Sequence, residues 1–119
     1  MTEYLLLYRN GDPNWSERSP EEVRESMAQW RTWFKELEAS GNLRHPGAPL
    51  GPVGAVVRRN GDAIATDASL SEVKELIGGY SLIQASSLEE ATQLAQGSPF
   101  FRNNAQGEVV VRPVSVMDG

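Results

Sequence analysis

The stretch from Ile77 to Phe101 constrains the fold more than any other, because it holds a strand, a capped helix and a stop signal in direct succession. Tyr80 to Ala85 is short and mostly apolar, the pattern of a strand covered on both faces. Ser86 and Ser87 follow, each with a glutamate three residues on (Glu89 and Glu90), so either can open a helix through a capping box. Leu88, Ala91, Leu94 and Ala95 recur at helical spacing, and Gly97 and Pro99 end the run. A strand that hands over to a helix this tightly is half of a split βαβ unit.

Upstream, Tyr4 to Tyr8 (YLLLY) reads as a first strand without a polar face, broken by Asn10-Gly11-Asp12-Pro13. Trp15 follows in a hydrophilic loop, which suits a lid or edge contact. Ser19-Pro20-Glu21-Glu22 is a strong helix start: Ser19 caps, Pro20 takes the first helical position and Glu22 closes a capping box. Val23, Met27, Trp30, Phe34 and Leu37 form one stripe, and Gly41 stops the helix. Trp33 lies one step off that stripe, at the expected border between helix and sheet. His45 to Gly54, rich in Pro and Gly, reads as an ordered loop. Val53 to Arg58 and Asp62 to Thr66 flank Asn60-Gly61, a two-residue hairpin signal. Ser69-Leu70-Ser71-Glu72 is a further capping box, opening a short helix over Leu70 to Ile77 that Gly78-Gly79 ends. Val109 to Val116 is the last strand, and Pro113 places its end at a sheet edge or bulge. The order implies an α+β, ferredoxin-like βαββαβ fold with an extra β-hairpin.

The totals bound the rest. A chain of 119 residues is one domain, spanning 1–119, and is long enough to fold without a disulfide or metal staple. It has no cysteine, which removes thiol chemistry. Sixteen acidic against eleven basic residues argue against a nucleic-acid surface. The first twelve residues resemble neither a signal peptide nor a membrane span, so a soluble cytoplasmic protein without membrane attachment is expected. No cofactor motif or metal-ligand spacing stands out. In a ferredoxin-like fold both helices cover one sheet face. The YLLLY strand and Val109-Val110-Val111 would leave the other face as an apolar patch of several hundred Å2. A homodimer with two sheets packed face to face is therefore expected.

Thr66-Asp67, Glu72, Lys74-Glu75, Gly78-Gly79-Tyr80, Glu90-Ala91, Ala95, Pro99, Gly107-Glu108-Val109 and Arg112-Pro113-Val114 together resemble the YCII-related, DGPF-type family, with the Trp30-to-Gly41 spacing, Leu50 and Gly54 upstream. The resemblance spans nearly the whole chain. It implies a dimeric α+β barrel of ferredoxin-like protomers, mostly bacterial, with no settled general function. The family's Asp-Gly-Pro-Phe tetrapeptide is here Asp67-Ala68-Ser69-Leu70. Some relatives are credited with a catalytic His–Asp pair whose histidine lies on the first helix. No histidine falls between Ser19 and Gly41, so that dyad is not carried over.

Six residues are candidates for a site. Asp67 is either a carboxylate at a pocket mouth or a turn residue. Arg112, a charge in an apolar strand, either binds an anion or pairs with Glu108 or Glu3. His45 is either a general base or an exposed loop residue. Trp15, Trp33 and the 45–54 loop are the expected pocket wall, and Tyr80 could join Trp30, Trp33 and Phe34 in lining it or be plain core. Three functions compete: a dimeric barrel that binds a small organic ligand or acts as a regulatory module, a cofactor-free lyase- or oxygenase-type enzyme using Asp67, His45 or Arg112, and a purely structural interaction protein with a filled barrel.

Overall fold

A computed structural model describes residues 1–51, 54–67 and 77–116. The elements are β1 (Thr2–Arg9), α1 (Pro20–Ala39), β2 (Leu43–Pro49), β3 (Val56–Asn60), β4 (Ala63–Asp67), β5 (Ile77–Ala85), α2 (Leu88–Gln96) and β6 (Glu108–Pro113), with 3-10 turns at Trp15–Glu17 and Pro99–Phe101. β2, β5, β1 and β6 form one sheet in that spatial order, antiparallel throughout. β1–α1–β2 and β5–α2–β6 are thus two interleaved split βαβ units, and the chain has an α+β, ferredoxin-like fold. β3 and β4 form a separate two-stranded sheet inserted between β2 and β5.

Two-residue alternation sorts the sheet into two unlike faces. Tyr4, Leu6 and Tyr8 of β1, with Ser81, Ile83 and Ala85 of β5, are buried. Trp33 and Leu37 of α1 and Ala91 and Ala95 of α2 close over them. The two alanines carry no bulk beyond Cβ, so α2 lies close to the strands. On the other face Leu5 pairs with Leu82, Leu7 with Tyr80 and with Val110, and all five are half-buried. Glu3, Arg9, Gln84, Glu108 and Arg112 surround them. Neither α1 nor α2 lies there, so among the described residues no helix covers this face.

The helix caps follow the sequence. Ser19 accepts the Glu22 N–H at 3.1 Å, and the Glu22 carboxylate accepts the Ser19 N–H at 3.1 Å. Gly41, just past α1, takes φ +79°, which a residue with a Cβ rarely adopts. At α2 the serines divide the work. Ser87 caps the Glu90 N–H, while the Ser86 hydroxyl donates to the Glu90 carboxylate at 2.7 Å. That bond, with help from the Ser86 N–H and Asn42, holds the Glu90 carboxyl below its usual range.

Several expectations need correction. Residues 45–54 are not all loop: Leu43–Pro49 is the edge strand β2, irregular in register between Leu43, His45 and Ala48. Pro46 and Gly47 hid it, and an edge strand is where proline is tolerated. Gly78 and Gly79 do not end a helix but lie inside β5, which starts at Ile77. A Cβ on Gly79 would crowd the Ala48 carbonyl at 3.1 Å and the Tyr8 ring at 3.4 Å. The rest of the expected 70–77 helix, the Ser69 capping box and Lys74-Glu75 lie outside the described residues. The hairpin turn is shifted by one: Asn60 pairs with Ala63, and Gly61 at φ +63° leads the turn. Trp33 is core at 6 % exposure rather than a border residue, whereas Met27 is half exposed. The buried residues of α1 are Trp33 and Leu37, with Trp30 and Phe34 partly buried beside them, half a step from the stripe read off the sequence. Pro113 closes β6 at the sheet edge, as its missing N–H requires.

Gly47 takes φ +76°, and a Cβ there would overlap the Tyr80 carbonyl oxygen. Gly47→Ala should therefore destabilise the chain by at least about 2 kcal/mol, read as a lower urea midpoint with an unchanged m-value.

Candidate functional site

A cleft of about 1310 Å3 opens between the β1–α1 loop, the first half of α1 and the turn after α2. Its shape is set by a charged strap. Asn10 at φ +57° turns the chain out of β1. The Asp12 carboxylate then accepts the Asn14 N–H at 2.9 Å and Arg18 Nε at 2.9 Å, with Nη2 at 3.4 Å completing a fork. Arg18 Nη1 reaches Glu22 of α1 at 3.4 Å. The Arg18 guanidinium, with the Asn14 N–H, holds the Asp12 carboxyl below its usual range. The strap fixes the Trp15–Glu17 turn beside the cleft, where Trp15 is half exposed.

The opposite wall is aromatic and then polar. The Tyr8 ring lies 5.3 Å from Trp30, edge-on, and 5.1 Å from Phe100, and both neighbours line the cleft. The Tyr8 hydroxyl donates to Ser81 Oγ at 2.7 Å, and Ser81 Oγ donates to the Pro46 carbonyl at 2.7 Å. Burial pushes the Tyr8 phenol up to about 12, against the lowering effect of its bonds to Ser81 and Ser98. Beyond Phe100, Arg102, Asn103 and Asn104 complete the wall. Asn104 is 5 % exposed, and its Nδ2 donates to the Phe100 carbonyl at 3.3 Å. Its Oδ1 is buried and has no hydrogen-bond partner among the described residues. Gly107 makes room for this amide: a Cβ there would come within 2.6 Å of Asn104 Nδ2.

Of the candidates whose side chains are described, Trp15 lines this cleft, and Trp33, Tyr80, His45 and Arg112 do not. Trp33 is in the core and borders a shallower depression beside Gly97. Tyr80 faces away from Trp30, Trp33 and Phe34, on the open sheet face opposite Leu7. From the 45–54 loop only Pro49 and Leu50 contribute, along with Gly78. Arg112 sits on the open face opposite Leu5. The carboxylates expected for it are taken: Glu108 pairs with Arg9 at 3.4 Å and Glu3 with Arg44 at 2.9 Å. His45 is on β2 at the other edge of the sheet, its Nδ1 accepting the Gly47 N–H at 2.9 Å. Asp67 ends β4, in the other sheet. His45 and Arg112 therefore stand three strand spacings, about 14 Å, apart, and Asp67 joins neither. Among the described residues no group of three His, Asp or Glu is placed to hold a metal, and no helix is long and apolar enough to cross a membrane.

The YCII-related domain model matches residues 3–118. The chain belongs to the YCII-related family. No curated protein matches it in sequence. Among solved structures it is similar to 5-chloro-2-hydroxyhydroquinone dehydrochlorinase (TftG) from Burkholderia phenoliruptrix AC1100, in complex with 2,5-dihydroxybenzoquinone, at 20 % identity, over 91 % of this chain and 90 % of that one, with a TM-score of 0.48. In this YCII-related domain the site lies where sequence reading had only loops, at Asn10–Pro13 and Asn103–Gly107. Their polar composition marked turns and gave no sign that one asparagine would be buried.

The Tyr8 phenol is harder to ionise in the folded chain than in the unfolded one. Stability should be constant below pH 10 and fall between pH 10 and 12 by about 2–3 kcal/mol through this group. Urea titrations of wild type and Tyr8→Phe across that range should differ by this slope.

Proposed function

We propose that the protein binds a small organic ligand in the cleft beside Trp15, Trp30 and Phe100, as a homodimer closed through its open sheet faces. The ligand reading rests on Asn104. A buried acceptor left without a donor costs roughly 1–3 kcal/mol, and here it belongs to a side chain lining a large cleft with an aromatic wall. A ligand with a flat apolar body and an O–H or N–H donor would satisfy both features. The cleft's ionisable groups are partly spent on each other in the Asp12–Arg18–Glu22 strap, which suits holding a shape more than moving a proton. The lyase- or oxygenase-type alternative would draw on Asp67, His45 and Arg112, and neither His45 nor Arg112 lines the cleft.

The dimer is supported by the open face, whose apolar centre of Leu5, Leu7, Tyr80, Leu82 and Val110 has a polar rim, the anatomy of a protein interface.

A thermal-shift screen of aromatic compounds bearing O–H or N–H donors tests the ligand reading, repeated on Asn104→Leu. Wild type should gain melting temperature with members of that class. The variant should stay within about 1 kcal/mol of wild-type stability while losing at least tenfold in affinity. No shift with any such compound overturns the reading. Sedimentation at micromolar concentration should give the mass of two chains, and Leu82→Glu should return the mass of one.

A further inference from the structure

We propose that the depression beside Gly97 is a second subsite for the ligand of the cleft, and that it takes an uncharged carbonyl oxygen on the Trp33 indole N–H. The inference rests on the ligand reading above and adds an anchoring point outside the cleft. Trp33 is 6 % exposed, and a buried indole N–H ordinarily finds a hydrogen-bond partner. This one finds none among the described residues. Nor is its nitrogen sealed from solvent. The depression is where it surfaces. A Cβ on Gly97 would come within 3.5 Å of Trp33 Nε1, so glycine there keeps the way to the N–H open. At φ −83° and ψ 2° any residue could stand at this helix end. What the missing side chain provides is room over the indole.

The depression holds about 420 Å3 and shares Glu25, Gln29, Pro99 and Arg102 with the cleft, so the two voids abut. Their aromatic walls are continuous: the ring of Trp30, which lines the cleft, lies 5.8 Å from the ring of Trp33, edge-on. The turn between them is held by its own bonds. Ser98 Oγ accepts the Phe100 N–H at 3.2 Å, and the Pro99 carbonyl accepts the Arg102 N–H at 3.0 Å. One surface therefore presents two fixed, unsatisfied groups of opposite kind. Asn104 Oδ1 in the cleft is an acceptor without a donor, and Trp33 Nε1–H in the depression is a donor without an acceptor. A single ligand with a donor at one end and an acceptor at the other satisfies both.

Charge decides which acceptor fits. Glu25 and Glu36 line the depression with Arg102, so two carboxylates stand against one guanidinium. A carboxylate or phosphate would enter against that excess of negative charge. An ammonium would offer the indole N–H nothing to donate to. A ketone or amide carbonyl accepts without bringing charge. The ligand class is thus an aromatic compound with an O–H or N–H donor and, across a short spacer, a carbonyl.

The test uses the full chain. Calorimetric titrations and nitrogen–proton correlation spectra are recorded with para-hydroxyphenyl ketones whose carbonyl is separated from the ring by none, one or two methylenes. The matched controls are the alkylphenols that lack the carbonyl. At least one ketone should bind roughly fivefold tighter than its alkylphenol, the worth of one hydrogen bond. It should also move the Trp33 indole proton downfield where the alkylphenol does not. In Gly97→Val, whose side chain fills the space over the nitrogen, the ketone should lose that advantage while the alkylphenol binds as in wild type. If both kinds bind and no ketone moves the Trp33 signal beyond its alkylphenol, the subsite is overturned and the cleft reading stands. If neither kind binds, both are overturned. An advantage that Gly97→Val retains places the carbonyl elsewhere and rejects the subsite. Where that variant does not fold or binds neither kind, or where the affinities differ by less than fivefold, the wild-type Trp33 signal decides: a downfield move with the ketone alone supports the subsite, and its absence rejects it.

Discussion

The structure depends on the placement of one side chain, Tyr8. Its ring bridges β1 to α1 through Trp30 and to the turn after α2 through Phe100. Its hydroxyl ties β1 to β5 through Ser81, and Ser81 carries the connection to the edge strand at Pro46. A buried phenol and a buried serine would each be a liability in an apolar core. Paired, they satisfy one another and fix where β2 can lie. Gly79, opposite Tyr8 in the register, leaves room for the ring. The same ring stands behind the aromatic wall of the cleft, so core packing and cleft geometry share one anchor.

A second constraint is the alternation along β1 and β5. Because every other residue turns the same way, the sheet cannot be apolar on one side only when the sequence is apolar at every position. One set meets α1 and α2. The other set, Leu5, Leu7, Tyr80 and Leu82, is half-buried on a face that neither α1 nor α2 covers. Charges gather at the ends of that face rather than at its centre. Arg9 with Glu108 and Arg44 with Glu3 are ion pairs on the rim, whereas Arg112 has no ion pair among the described residues.

Sequence reasoning did well where the signal is local. The Ser19–Glu22 capping box, the serine cap of α2, the glycine after α1 and the proline at the end of β6 are decided by backbone groups a few residues apart, and the chain obeys them. It did poorly where a residue's role is set by a distant neighbour. Gly78 and Gly79 looked like a helix stop, but Gly79 is small because a tyrosine seventy residues earlier needs the space. Leu43–Pro49 looked like a loop, because hydrogen bonding to β5 compensates for a proline and a glycine that local propensity reads as breakers. Trp33 fell off the helical stripe by one position, yet the helix rolled half a step and took it into the core.

The sequence by itself determined the α+β class, the two main helices, and strands that are apolar on both faces, though not the edge strand β2. These follow from periodicity and capping, which act over a single turn or a single pleat. Only the tertiary structure decided which residues share the cleft. Asp12, Arg18, Trp30, Phe100 and Asn104 come from the two ends of the chain, and their meeting depends on the antiparallel register of β1 against β5 and β6. The candidates His45 and Arg112 were separated because strand order places β2 and β6 at opposite edges of the sheet, while Asp67 ends a strand of the other sheet.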